Sequence, residues 1–279
     1  MIPKVWKERS LYKLYQEDHT PWEWHKHIFD RCREKGIIGF STHFDDTAVD
    51  FLEKLNVPFY KIASFENTDI PLIKKVVKTG KPIIISTGMA SVEELDLTVK
   101  TARENGCNDI ILLKCTSSYP SSPKNTNILT IPHLRELFGV EVGLSDHTMG
   151  VGADCASIAM GASVIEKHFT LCRADGGVDS AFSAEPHEMK LLVTETKQAW
   201  QALGQVTYGV TESEKKSLVF RRSLYVSNDI KSGEMFTPKN LRTIRPGLGL
   251  PPKYYEILLG KKVACDIKKG TPFTWDLLG

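Results

Sequence analysis

Between residues 36 and 170, six short β-branched runs alternate with amphipathic stretches, and every run turns polar at its C-terminal end. The runs are IIGFST (37–42), FYKIAS (59–64), PIIIST (82–87), IILLKCT (110–116), VGLSDH (142–147) and VIEKHF (164–169). Strands separated by one helix and two short loops are the signature of βα units around a parallel sheet. An open doubly wound sheet gathers its ligands at one switch point, whereas a (β/α)8 barrel collects them from many strand ends on one face. Polar ends on all of the runs favour the barrel, so an α/β fold is expected.

Helix signals fall between the runs. SVEE (91–94) and TPWE (20–23) both fit a capping box, the second with Pro21 at the first helical position. A last helix is expected from Pro186 to Leu203, with Met189, Leu192, Val193, Thr196, Trp200 and Leu203 on one stripe and Gly204 stopping it. The barrel part is therefore placed at 1–205. A charged linker follows at 206–222, and 223–279 reads as a small β-rich domain. That domain contains a pseudo-repeat, DIKSG (229–233) and DIKKG (266–270), each followed within a few residues by Thr.

Composition excludes several classes of function. A net charge of +2 on 279 residues leaves no basic stripe for a phosphate backbone. There is no apolar run of membrane length, and the N-terminus does not read as a signal peptide. No nucleic-acid or membrane partner is expected, and the cytoplasm is the expected compartment. The six cysteines form no CxxC pair and read as buried thiols.

The polar strand ends carry Thr42, Lys61, Ser64, Ser86, Ser117 and Ser145. One cation with several hydroxyl donors suits a small phosphorylated or carboxylated ligand. Taken singly, each hydroxyl reads more readily as a cap or turn residue; their recurrence at one structural position is what points to a site. His147 and His168 end consecutive strands and could share a divalent cation, or be two satisfied histidines. Asp146, Glu166 and Asp179 are acidic neighbours that could support the histidines or accept substrate hydroxyls. No dinucleotide, nucleotide or serine-hydrolase motif occurs.

STHFD (41–45), YKIASFE (60–66), PIIISTGMAS (82–91), KCTSSYP (114–120), GLSDHT (143–148), EKHFT (166–170) and IRPGLGL (244–250) resemble the sialic acid synthase family, in the right order along nearly the whole chain. That family condenses phosphoenolpyruvate with an amino sugar to a nine-carbon nonulosonic acid. TPWEWHKHIFD (20–30), ADGGVDSAFS (174–183) and FRRSLYV (220–226) look closest to its pseudaminic acid branch rather than to the N-acetylneuraminate or legionaminate enzymes. The resemblance implies 2,4-diacetamido-2,4,6-trideoxy-altropyranose as the sugar. It further implies phosphoenolpyruvate contacts from Thr42, Lys61, Ser64, Ser86, Ser117 and Ser145, and manganese or magnesium at His147 and His168. Glu66, Tyr119 and Asp179 would hold the sugar, with Lys61, His147, His168 and Asp179 as the catalytic set. Arg245 would reach an acyl group from an antifreeze-like SAF (β-clip) domain that covers the partner's site in a domain-swapped homodimer.

Two departures from the family pattern stand out. His43 occupies the place of a usual Pro, and two initial βα units of the family have no counterpart in the sequence. The fold expected is thus a (β/α)8 TIM barrel lacking its first two βα units. About 205 to 220 residues remain for a barrel that typically needs about 250. The competing expectations are an inactive binding or dimerising remnant and, from another enzyme class, a metal-dependent aldolase or epimerase, for which Lys61 alone is thin support.

Overall fold

The computed structural model describes residues 11–279, and the chain divides into two units after Gly204. Among the described residues, the first unit begins with helices α1 (Leu11–Asp18), α2 (Trp22–Glu34) and α3 (Asp46–Lys54). It continues as β1 (Tyr60–Ile62), α4 (Ile70–Val77), β2 (Ile83–Ser86), α5 (Val92–Glu104), β3 (Ile110–Cys115), α6 (Thr130–Phe138), β4 (Glu141–Asp146), α7 (Gly152–Ala159), β5 (Val164–Lys167) and α8 (Pro186–Leu203). The five strands pair in chain order and all in parallel. No helix among the described residues is long and apolar enough to cross a membrane.

Capping chemistry sets where the helices begin. The Asp45 carboxylate accepts the amide of Ala48, and that of Asp69 accepts Leu72. At α5 both halves of the capping box form, Glu94 N to Ser91 Oγ and Ser91 N to Glu94 Oε2. The expected box at 20–23 does not: α2 starts at Trp22, with Pro21 as its cap and no side-chain cap bond.

Alternation along the strands gives the sheet two unlike faces. Ile62, Ile83, Ile85, Leu112, Val142 and Leu144 pack with Leu72, Ile73, Val76, Val99, Leu134 and other helix residues into one core. The opposite face is concave. Lys61 on β1 and Glu166 on β5 belong to the first and last strands, which in a flat sheet would lie roughly 19 Å apart. Their side chains meet at 3.3 Å, Nζ to Oε2. The sheet is therefore curled, with helices outside, in a barrel-like (β/α) fold.

Two expectations about this unit need correction. Residues 37–42 do not form a strand: only Thr42 pairs, in a parallel bridge to Lys61, while Ile37, Ile38 and Phe40 are exposed. β-branched composition favours a strand only where neighbours are present on which to pair and pack, and this segment has one. Helix α8 has the expected ends, with Gly204 at φ 50° after Leu203, but of the expected stripe only Leu192 is buried, and Trp200 is 67% exposed. The cysteines are all free, and only Cys107 and Cys115 are buried.

His43 is fully buried, its ring 5.2 Å edge-on from Tyr60, and neither ring nitrogen has a hydrogen-bond partner. Burial pushes the imidazole down to about 4. The unfolded chain takes up this proton at about pH 6.5 and the folded chain does not, so His43 lowers stability as pH falls from 6.5 towards 4. The full difference is about 3 kcal/mol by linkage. His43→Leu, of similar volume, is expected to raise the melting temperature and to widen its advantage over wild type between pH 6.5 and 4.5. A constant or shrinking advantage over that window, followed by calorimetry, would refute the assignment.

The second unit comprises a 3₁₀ helix (Glu212–Phe220), strands β6 (Ser223–Val226) and β7 (Leu241–Ile244) paired antiparallel, and a short helix α9 (Tyr255–Leu258). The DIKxG repeat explains its core. Ile230 and Ile267 exchange both backbone hydrogen bonds, at 2.9 and 2.8 Å. The Asp of each copy caps the turn of the other, Asp229 Oδ1 accepting Lys269 N and Asp266 Oδ1 accepting Ser232 N. Phe236 and Phe273, at equivalent places in the two copies, are fully buried and meet edge to face at 4.9 Å.

Candidate active site

Ladder register and alternation place Lys61, Ser86, Cys115, Ser145 and Glu166 on the concave face of the first unit. All but Glu166 are buried. Thr42, bridged to Lys61, adds a hydroxyl beside the β1 end. Ser86 Oγ is buried without a partner. An unpaired buried hydroxyl is costly, so a ligand that accepts its hydrogen bond gains affinity there.

Ser64 and Ser117 come from different βα loops and converge on Gly88. Ser64 Oγ accepts the Gly88 amide at 3.1 Å. A Cβ at Gly88 would stand 2.2 Å from Ser117 Oγ and 2.6 Å from Ser64 Oγ, so only glycine lets the two hydroxyls stand this close. Asn67, whose amide donates to the carbonyls of Ser86 and Gly88, holds this loop from beneath.

His147 and His168 face each other with ring centroids 5.1 Å apart. Nδ1 of His147 lies 3.0 Å from the Thr116 carbonyl, which fixes it as the protonated nitrogen and leaves Nε2 with a free lone pair. His168 Nδ1 is 3.4 Å from Asp179 Oδ2, a looser ion-pair contact that places a carboxylate beside the same ring nitrogen. Histidines oriented in this way by an outer acceptor are typical metal ligands, so the pair fits a divalent cation completed by oxygen ligands. Burial lowers the His168 pKa, and His147 adds to this, against Asp179. For His147 burial is outweighed by Cys115 and the Thr116 carbonyl, and its pKa rises.

Tyr119 closes the side, 4.3 Å from the His147 ring and 5.9 Å from that of His168, with Phe182 within 5.8 Å of Tyr119 and 5.1 Å of His168. The chain after β5 folds back to bring Phe182 there. His168 O accepts the Ala184 amide at 2.8 Å and Phe169 bridges Ala184 in parallel. Glu66 lies in the loop after β1, where burial raises its carboxyl and Oε2 has no hydrogen-bond partner.

The curled sheet thus brings together His147, His168, Tyr119 and Asp179, with Lys61, Ser64, Ser86, Ser117 and Ser145 on the same face or at the ends of the same strands. Arg245 belongs to the second unit, where it is exposed and precedes a cis proline. Cys115 was missed from sequence, where it reads as an inert core thiol. Burial alone would raise it, but the nearby polar groups of His147, Ser64 and Ser145 bring it down to about 7. Among the described residues, one group of three metal-type ligands lies within 4.8 Å: Glu185, His187 and Glu188. Arg173 already pairs with both of its carboxylates, so that group is a salt-bridge cluster at the start of α8.

Residues 1–208 match the NeuB family and residues 221–279 the SAF domain. A pseudaminic acid synthase of Campylobacter jejuni is 45% identical over 266 residues, covering 95% of this chain and 78% of that protein. An N,N'-diacetyllegionaminic acid synthase of the same species is 38% identical over 265 residues, covering 94% and 79%. The crystal structure of the spore coat polysaccharide biosynthesis protein spsE of Bacillus subtilis aligns with a TM-score of 0.65 at 32% identity, over 97% of this chain and 81% of that one.

Proposed function

Because the chain belongs to the NeuB family and carries a SAF domain, we propose that it is a pseudaminic acid synthase, condensing phosphoenolpyruvate with 2,4-diacetamido-2,4,6-trideoxy-altropyranose. The observation that carries the choice of product is the 45% identity to a pseudaminic acid synthase, against 38% to a legionaminic acid synthase.

The residues divide the work by charge. Lys61 and the hydroxyls of Thr42, Ser64, Ser86, Ser117 and Ser145 bind the phosphate and carboxylate of phosphoenolpyruvate, and balance charge as water adds at the phosphate-bearing carbon and phosphate leaves. Glu66, Tyr119 and Asp179 orient the open-chain sugar so that the enol carbon lies against its aldehyde. His147 and His168 would hold manganese or magnesium, which when bound supplies Lewis-acid polarisation of the aldehyde oxygen. Asp179 keeps the His168 ring in place throughout. Arg245, from the SAF domain of a partner copy, binds an acyl group of the sugar.

Phosphate release from phosphoenolpyruvate in the presence of manganese tests this reading. Release with the altropyranose and not with N-acetylmannosamine is expected. The reverse preference would overturn the choice of sugar, and no release with either would overturn a synthase activity for this chain.

A further inference from the structure

Behind the two histidines, on the outer face of the sheet, lies a buried ionic triad with no part in the chemistry above. Lys167 Nζ donates to Asp146 Oδ2, to Asp154 Oδ2 at 3.1 Å, and to the carbonyls of Thr148 and Gly150 at 3.0 and 2.8 Å. The side chains of Lys167, Asp146 and Asp154 are 5%, 1% and 0% exposed. Asp146 also accepts the amide and the hydroxyl of Thr148.

The triad's place in the fold sets what it does. Asp146 and Lys167 are register partners at the last rung of the β4·β5 ladder. Each is followed by one of the histidines, and alternation turns the histidines to the concave face while the ion pair faces the helices. The register of the two strands ends at this rung. Asp154, in the first turn of α7, pulls from the helix side, and the Thr148 and Gly150 carbonyls wrap the intervening loop around the same ammonium. One cation therefore ties both strand ends and the loop between them to one point.

A buried ion pair is commonly no more stabilising than well-packed apolar side chains of the same volume. What the triad adds over such packing is direction, since four acceptors fix the Lys167 head, and with it the backbone of the next residue. We propose that Asp146, Lys167 and Asp154 are positioning residues that hold His147 and His168 at the separation their joint work requires. The inference rests on the reading of those histidines as a pair that acts together on the sugar.

Lys167→Met alone would bury two uncompensated carboxylates and is a poor test. The variant D146N/D154N/K167M removes all three charges while keeping similar volumes. It is expected to stay folded, to lose roughly ten- to a hundredfold in kcat, the range seen when partners behind metal-binding histidines are removed, with a much smaller change in KM for phosphoenolpyruvate. Manganese binding, titrated directly by electron paramagnetic resonance, is expected to weaken about tenfold. Leu134→Ala, in the core on α6, is the control for lost stability and is expected to lower the melting temperature without changing kcat. A folded triple variant with kcat and manganese affinity within twofold of wild type would overturn the inference, as would an equal fall in kcat for Leu134→Ala. Failure of the functional reading shows separately, in the wild-type arm: a wild-type protein that neither binds manganese nor releases phosphate leaves nothing to be positioned and removes the inference with it.

Discussion

His168→Ala is expected to lower phosphate release from phosphoenolpyruvate by roughly a thousandfold or more, and His147→Ala to do the same. Two imidazoles have ring centroids 5.1 Å apart, and each has Nδ1 beside an oxygen acceptor. No third His, Cys or carboxylate ligand joins them among the described residues. On the proposed reading, losing either one would halve the protein's share of the coordination shell, and a polarising ion supplies several kcal/mol to such a step. At about 1.4 kcal/mol per tenfold, a loss of about 4 kcal/mol gives the stated factor. The check is a manganese titration of activity for both variants beside wild type. Activity retained with unchanged metal dependence would count decisively against the pair.

A large effect on stability is expected at Gly143. This residue sits on the concave face of β4, where an added Cβ would stand 2.3 Å from the Val164 carbonyl oxygen, 2.6 Å from Leu113 Cδ2 and 3.0 Å from Val164 Cβ. The first of these contacts is with backbone, which no rotamer change relieves. The β4·β5 ladder would have to separate, so Gly143→Ala should cost about 3 kcal/mol or more. For a unit of this size that corresponds to a fall in melting temperature of about 6 to 12 °C. Gly152→Ala is the natural comparison: it opens α7, its Cβ would meet nothing within 4 Å, and no loss is expected. A Gly143→Ala protein melting within 2 °C of wild type would show that the strands are less tightly held than their geometry implies.

Much of the fold is legible in the chain because the governing interactions are local or periodic. The β-branched runs at 82–87, 110–116, 142–147 and 164–169 become β2 to β5, and alternation sends Ser86, Ser145 and Glu166 of their polar ends to the concave face and Asp146 and Lys167 to the outer one. The capping box at Ser91 and the stop at Gly204 depend only on neighbouring residues. What local reasoning misplaces depends on distant partners. Ile37 and Ile38 have strand-forming side chains, yet they find no partner strand among the described residues and stay exposed, and only Thr42 of the segment pairs. Trp200 lies at a helical spacing that suits a core, but nothing among the described residues covers it. Cys115 cannot be told from a packing thiol until three strands bring Ser64, Ser145 and His147 around it. Lys167 and Asp146 read as polar strand ends, and only the outer layer, with Asp154 at the start of α7, makes them a buried network.

The contact between Lys61 and Glu166 has a consequence for how the protein is made. Its two residues lie on the first and last strands of the sheet, so roughly a hundred residues must leave the ribosome after one before the other exists. At about 5 to 20 residues per second that is an interval of ~5 to 20 s, during which β1 is synthesised and its partner across the barrel is not. The concave face around Lys61 is therefore among the last features to be completed in the first unit. A ligand present in the cell has nothing to bind until β5 has emerged, and the growing chain must keep its apolar strands from other chains by pairing each new strand with the one before. Sheet order identical to chain order, β1 to β5, permits that step-by-step pairing from the moment the second strand appears.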